Sequence, residues 1–124
     1  MNSIFVSPPN AILFVLDPTN KNAVVPPYID GEIVAVTDTC VSVGTQADVD
    51  GEVEISMSLS GVVPIDLNKV LSRNILVPGG KIAVVTSEFQ KVLELDVPAG
   101  SAYVSIWVDD LRNPARVFIN IGRP

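Results

Sequence analysis

Apolar and polar residues alternate along most of this chain, and this period of two is the feature that most restricts its fold. In the segment EVEISMSL, residues 52–59, one face takes Val53, Ile55, Met57 and Leu59, and the other takes glutamates and serines. Side chains of a β-strand point alternately to opposite faces, so the pattern predicts a strand with one buried and one solvated face. The same pattern predicts strands at residues 3–6, 11–16, 32–37, 40–44, 81–86, 92–97, 102–108 and 116–121.

Turn signals separate these runs and leave little room for helices. They are Asp30-Gly31, Asp50-Gly51, Pro78-Gly79-Gly80, Pro98-Ala99-Gly100 and Asn113-Pro114. Such short strands, with a turn every 8–12 residues or so, are typical of β-sandwiches. We therefore expect an all-β fold of about eight strands, either an antiparallel β-sandwich or a jelly-roll-like arrangement.

Two local predictions follow from the same turn chemistry. Residues 64–72 are predicted to form the one short helix, with Asp66 as its N-cap. Residues 93–108 are predicted to form a hairpin that reverses at Pro98-Ala99-Gly100, and Pro78-Gly79-Gly80 is predicted to be a second hairpin turn.

The length and composition fit one packed domain over residues 1–124. Of the 124 residues, 48% are hydrophobic and 18% are charged, which is enough apolar material for a core. The predicted core residues are Val53, Ile55, Met57, Leu59, Leu93, Leu95, Val104 and Ile106. No apolar run approaches the roughly 20 residues of a membrane span, so we expect no membrane association. A single cysteine and a first apolar segment without preceding Lys or Arg favour a cytoplasmic location.

Negative charge is concentrated in the first half of the chain. The formal net charge is −6, and no Lys or Arg occurs between Asn22 and Asn68. This argues against direct binding to nucleic acid, because phosphate contacts need clustered basic residues. It favours a basic protein partner, although a solvated acidic surface that keeps the domain soluble accounts for the same residues.

The chain lacks the usual side chains of nucleophilic catalysis. It has no histidine, so Ser-His and Cys-His activation are excluded. Cys40 lies in an apolar run and is predicted to be a small buried residue, and it replaces the glycine that an aspartic-protease Asp-Thr-Gly motif would need after Asp38. We therefore predict a protein without enzymatic activity and without a cofactor.

The segment DVDGEVE, residues 48–54, does not predict a metal site. Its carboxylates alternate, but the glycine and the closing glutamate of an EF-hand calcium loop are not in place. A turn followed by a solvated strand explains the same letters. We therefore predict no bound metal.

The strand at 102–108 carries two aromatic residues opposite its aliphatic face. Tyr103 and Trp107 alternate with the small aliphatic residues and lead to Asp109 and Asp110. Tyrosine and tryptophan beside acids are frequent at binding surfaces, because each combines a large apolar area with a polar atom. The alternative is a tryptophan that belongs to the core, followed by a turn that begins at the two aspartates.

The candidate partner-binding residues combine the acidic segment with this strand end. They are Asp30, Glu32, Asp48, Asp50, Glu52, Glu54, Tyr103, Trp107, Asp109 and Asp110.

The C-terminal half resembles the competence protein J family, inhibitors of a DNA-entry nuclease. The resemblance lies in the segment LDVPAGSAYVSIWV, with Leu95, Pro98, Gly100, Tyr103 and Trp107 at the matching positions, and in the terminal strand ARVFINI. The N-terminal half is similar only in its order of features: an early apolar strand, the pair Pro26-Pro27 and a strand start at Asp50-Gly51. The resemblance implies a small cytoplasmic protein that binds a nuclease and blocks it without chemistry of its own.

Two functions therefore lead at the level of sequence, and an enzyme that uses a pair of carboxylates is a third alternative. The first is an inhibitor or immunity-type protein that covers a basic partner such as a nuclease. The second is a structural subunit that self-associates, since residues 11–16 and 81–86 are apolar on both faces and fit either a buried strand or a contact between subunits in a homo-oligomer.

Overall fold

The computed structural model describes residues 2–59 and 66–122, and their regular structure is β-strand. The strands are β1 (Asn2–Val6), β2 (Ile12–Leu16), β3 (Val34–Val36), β4 (Cys40–Gly44), β5 (Val53–Ser58), β6 (Asn68–Val77), β7 (Lys81–Thr86), β8 (Lys91–Asp96), β9 (Gly100–Val108) and β10 (Arg116–Gly122). Besides them, the described residues contain two single 3₁₀ turns, Pro9–Ala11 and Asp48–Asp50. The all-β prediction is confirmed, with ten strands rather than about eight. None of these segments forms a helix with the length and hydropathy that crossing a bilayer requires.

The strands form two five-stranded sheets. The first sheet has the order β1-β5-β10-β9-β6, and the second has the order β3-β4-β2-β7-β8. Neighbouring strands are antiparallel except β5 and β10, which run parallel, with Ile55 opposite Val117. The sheets face each other, and β1 approaches β8 at one side while β6 approaches β4 at the other.

The core lies between the two sheets and follows the alternation of the sequence. Val53, Ile55, Met57, Val104 and Ile106 are fully buried, as predicted. Two further predicted residues, Leu93 and Leu95, are half-buried against this core, because β8 is an edge strand.

Leu59 is the core prediction that is wrong. Its side chain is 55% exposed. β5 ends at Ser58, so the alternation no longer determines which way the next side chain points.

The central strands of the second sheet, β4, β2 and β7, are buried on both faces. The outer face of this sheet carries Phe14, Leu16, Cys40, Ala83 and Val85, which form a second apolar cluster. Val25, from the long connection between β2 and β3, packs against this cluster, and Phe89 stacks on Phe14 with ring centroids 6.3 Å apart. β2 and β7 are therefore apolar on both faces because the core covers one face and the outer cluster covers the other.

Cys40 is buried in this outer cluster, as predicted. Burial raises the pKa of its thiol to about 12. We expect the native protein at pH 8 to resist thiol reagents and to react fully only after denaturation, because the thiolate is the reactive form. Ellman's assay with and without denaturant would measure this, and rapid labelling of the native protein would contradict the buried position.

The predicted helix at 64–72 is wrong where the structure describes it. Residues 64 and 65 lie outside the described residues, and β6 begins at Asn68. β6 pairs with β9 along its whole length, so tertiary pairing overrides a weak local pattern. A register shift between Lys69 and Leu71 breaks the period of two, which is why the sequence did not indicate a strand there. Asp66 does not cap a helix; it forms an ion pair with Arg116 at 2.9 Å.

Both predicted hairpins are also wrong, because each turn crosses from one sheet to the other. β8 belongs to the second sheet and pairs with β7, whereas β9 belongs to the first sheet. Likewise, the turn at Pro78-Gly79-Gly80 connects β6 of the first sheet to β7 of the second. The two crossings lie side by side, since Val97 N donates to Gly80 O at 2.9 Å, and Gly100 has a φ of 121°, which suits glycine.

Candidate protein-binding site

Five connecting segments meet at one end of the sandwich. They are residues 7–11, 29–33, 45–52, 87–90 and 109–115, and we call this set the loop end. Backbone hydrogen bonds join some of these segments: Thr45 N donates to Ala11 O at 2.9 Å, and Gln46 N donates to Pro114 O at 2.9 Å. The register of the strands explains the meeting, because β5 and β10 both begin here while β4 and β9 both end here.

The loop end gathers most of the predicted acidic residues. Asp30, Glu32, Asp48, Asp50 and Glu52 all lie on its segments and are exposed. In the segment 45–52, hydrogen bonds from Asp50 N to Ala47 O and from the Gln46 side-chain amide to Glu52 O fix the backbone. The carboxylates of Asp48, Asp50 and Glu52 therefore extend into solvent from a hydrogen-bonded backbone.

Glu54 differs from the other predicted acids because it is already paired. It lies on the outer face of β5, half-buried, and its Oε1 accepts a hydrogen bond from Arg116 Nε at 3.3 Å. Arg116 also binds Asp66, and this hydrogen bond lowers the pKa of the Asp66 carboxyl. Arg116 therefore partly neutralises the negative charge of Glu54 and Asp66.

Asp109 and Asp110 serve the loop that they begin. Asp109 Oδ1 accepts hydrogen bonds from the backbone N–H groups of Ala115 and Arg116, each at 3.0 Å. Asp110 Oδ1 accepts two more, from Arg112 and Asn113 at 2.8 Å, and these bonds lower the pKa of the Asp110 carboxyl. One oxygen of each carboxylate is thus committed to shaping the segment 109–115.

Tyr103 and Trp107 lie on the outer face of the first sheet and are half-buried. Trp107 stands opposite Phe118 of β10 in the sheet register, and Lys69 Nζ lies 5.6 Å from its ring centroid. Trp107 therefore belongs neither to the core nor to the loop end, although it is close to the latter. Tyr103 lies four residues before Trp107 in β9, about 13 Å from it at the usual rise of a strand and towards the opposite end of the sandwich, so the structure separates it from the acids.

Exposed apolar side chains at the loop end were not predicted from the sequence. Val49 is 87% exposed, Leu111 59% and Ile29 51%, and Tyr28, which directly precedes the segment 29–33, is 77% exposed. For Val49 and Leu111, the neighbouring residues in the sequence could have predicted the exposure. Val49 stands between two aspartates inside a turn, and Leu111 follows two aspartates directly, so neither occupies a strand position that could bury it.

Among residues 2–59 and 66–122, no group of three or more His, Cys, Asp or Glu side chains is placed to hold a metal. A cavity of about 390 Å³ lies on the outer face of the second sheet, between Leu16, Val25, Val85 and Phe89. Its buried carboxylate, Asp17, is occupied by hydrogen bonds from Thr19 and from the Gly79 backbone.

Comparison with known proteins identifies a similar fold. No protein-family model and no curated protein sequence matches the chain. Among solved structures, it is similar to the crystal structure of ComJ from Bacillus subtilis, described as the inhibitor of the DNA degrading activity of NucA. The match has a TM-score of 0.73 and covers 100% of this chain and 96% of ComJ, at 16% sequence identity. The resemblance indicated by the sequence is therefore confirmed at the level of the fold, which this chain shares with ComJ over its whole length.

Proposed function

We propose that this chain is an inhibitor or immunity-type protein that binds a basic partner, a DNA-degrading nuclease, through its loop end. The observation that carries the proposal is the full-length fold match to ComJ, a protein that inhibits the nuclease NucA. At 16% identity the match establishes fold alone, so the argument for function also needs the surface of this chain.

The charge of the loop end supports a basic partner. Asp30, Glu32, Asp48, Asp50 and Glu52 are exposed on adjoining segments, and the stretch between Asn22 and Asn68 contains no Lys or Arg. A nuclease must present positive charge to the phosphates of DNA, so an acidic surface of defined shape is complementary to it. The same charge opposes direct binding of this chain to nucleic acid.

The proposal includes no chemistry by this chain and no cofactor. The sequence has no histidine, and its one cysteine is a buried thiol with a raised pKa. A thiol in this state is a poor nucleophile. We further propose a cytoplasmic location, because a protein with a single free cysteine is suited to a reducing compartment.

Self-association is the second candidate, and one observation weakens its basis. The strands that suggested it, β2 and β7, lie in the middle of the second sheet and are buried on both faces within the chain. The apolar residues of these strands therefore need no partner subunit.

An inhibition assay tests the proposal directly. Degradation of DNA by purified NucA, and by an extract of the native host, would be measured with and without this protein at about 0.05 M and 0.5 M salt. We expect inhibition at low salt that weakens at high salt. If neither source of nuclease activity is inhibited at low salt, the inhibitor proposal is overturned and self-association becomes the leading function.

The acids of the segment 45–52 should act mainly on the rate of association. The triple variant Asp48→Asn, Asp50→Asn, Glu52→Gln should slow association with the inhibited nuclease by roughly tenfold at low salt and flatten its salt dependence. The matched control is Asp38→Asn, Glu94→Gln, Asp96→Asn, which changes the net charge equally but acts on other parts of the surface. Asp38 and Asp96 form exposed ion pairs, which contribute little to stability, and Glu94 forms half-buried ones with Lys81 and Lys91, so urea unfolding must first show that the control variant is folded. Equal slowing by both variants would show that net charge, and not the loop end, determines the rate.

A further inference from the structure

We infer that Val49 and Leu111 are the apolar anchors of partner binding, and that the partner carries apolar pockets within its basic surface. The inference rests on the proposed function and deepens it. It assigns to these two residues the tight contact that the sequence suggested for Tyr103 and Trp107.

Val49 has no role in the fold that explains its position. It is 87% exposed at the middle of the 3₁₀ turn Asp48–Asp50. The turn is closed by hydrogen bonds from Asp50 N to Ala47 O at 2.9 Å and from Gly51 N to Asp48 O at 3.2 Å. An apolar side chain is thus exposed to water between two aspartates, on a turn whose hydrogen bonds do not involve that side chain.

Leu111 is presented in the same way by the neighbouring segment. It is 59% exposed, and the backbone around it is fixed by the bonds that Asp109 and Asp110 accept from residues 112–116. The two segments are joined by the hydrogen bond from Gln46 N to Pro114 O. Since both segments are ordered before binding, little conformational entropy is lost when a partner covers them.

Charge complementarity indicates the kind of partner. The carboxylates around Val49 favour a positively charged protein surface over a neutral or acidic one. Exposed charges at the rim of an interface act chiefly on association, whereas apolar side chains buried at its centre slow dissociation. The partner must therefore offer both features: basic residues around the contact and apolar pockets inside it.

The half-buried state of Trp107 and Tyr103 makes them weaker candidates. Trp107 is flanked by Lys69 and Phe118 within its own sheet, so much of its apolar surface is already covered. Val49 and Leu111 expose larger fractions of their side chains at the tips of the segments that meet at the loop end.

The test compares two double variants with matched chemistry. Val49→Ala with Leu111→Ala removes the proposed anchors. Val24→Ala with Leu76→Ala removes one valine and one leucine that are 58% and 51% exposed but lie outside the loop end. Binding kinetics to immobilised, purified NucA would be recorded for each at about 0.15 M and 0.5 M salt, after urea unfolding has shown that both variants remain folded.

We expect the anchor variant to dissociate about tenfold faster at both salt concentrations, with an association rate within about twofold of the original protein. The control variant should behave like the original protein. Equal dissociation rates for the anchor variant and the original protein would overturn the inference while leaving the proposed function intact. Failure of the original protein to bind NucA would instead refute binding to this nuclease, and the anchor assignment with it. A dimer of the purified protein that the anchor variant abolishes would also overturn the inference, in favour of a contact between copies of this chain.

Discussion

Replacing Ile106 with alanine should lower the free energy of unfolding by about 3 kcal/mol. Ile106 is 0% exposed and lies in β9, between β10 and β6 in the first sheet. It faces Ile119 on one side and Leu71 on the other, and the second sheet covers it. Three buried carbons are lost, and strands that are hydrogen-bonded on both sides cannot easily close the resulting cavity. For a domain whose total stability is about 5–15 kcal/mol, this is a large fraction.

Urea unfolding, followed by the fluorescence of the single tryptophan, would measure this effect. Leu111→Ala is the control, because it removes a similar volume from an exposed position and should change the free energy by no more than about 0.5 kcal/mol. If the two variants lost equal stability, Ile106 would not lie in a tightly packed core, and the assignment of faces in β9 would be inverted.

The division between buried and exposed residues was largely predictable because it depends on local geometry. In a strand with one buried face, alternate residues must be apolar, and a shift by one residue would expose the whole set. Val104 and Ile106 could therefore be assigned to the core from the sequence. The rule fails where alternation stops, as at Leu59, which follows the end of its strand.

The pairing of distant strands was not predictable, since no local pattern links residues that are far apart in sequence. The segments at 92–97 and 102–108 read as a hairpin because a turn signal joins them, yet each forms its hydrogen bonds with a different sheet. The parallel pair of β5 and β10 joins residues about sixty positions apart and leaves no local signature. β6 was not predicted from the sequence because its bulge at Lys69–Leu71 interrupts the alternation of apolar and polar residues.

The candidate site was predictable in its charge but not in its shape. The Asp-Gly pairs indicated exposed carboxylates at Asp30 and Asp50, because such turns lie at the surface. Asp109 and Asp110 accept hydrogen bonds from the backbone of their own loop, and this could not be predicted because it depends on backbone geometry. The exposure of Val49 and Leu111 depends on which loops meet at one end, which is a property of topology.

Replacing Gly79 with alanine should destabilise the protein by about 2–4 kcal/mol, although a single methyl group is added. A Cβ atom on Gly79 would overlap Thr19 Oγ1 and lie 3.0 Å from Asp17 Oδ2. That carboxylate is fully buried and accepts hydrogen bonds from Gly79 N at 2.7 Å, Thr19 N at 2.8 Å and Thr19 Oγ1 at 2.7 Å. The added methyl group must displace one of these partners, and a buried carboxylate that loses its donors carries a large desolvation cost.

Gly44→Ala is the matched control for this effect. A Cβ atom there would have Ile33 O as its nearest neighbour at 3.7 Å, which is an ordinary contact, so stability should change by no more than about 0.5 kcal/mol. Comparing the free energies of unfolding of the two variants in urea would distinguish the steric clash at Gly79 from the general effect of replacing a glycine with alanine. A small change in Gly79→Ala would mean that the crossing between β6 and β7 can move away from Asp17.

A double-mutant cycle with Thr19→Ala identifies the group that the new methyl displaces. Thr19→Ala alone removes the Oγ1 hydrogen bond to Asp17 and should cost about 1 kcal/mol. It also removes the atom that overlaps the alanine methyl, so the double variant should be less destabilised than the sum of the two single variants, by at least about 1 kcal/mol. If the free-energy changes of the two single variants simply add, the cost of Gly79→Ala arises at the Asp17 carboxylate. The Thr19 side chain then moves away from the new methyl group at no measurable cost. Either result measures how strongly the turn between β6 and β7 is bound to the connection between β2 and β3, which contains Asp17 and Thr19.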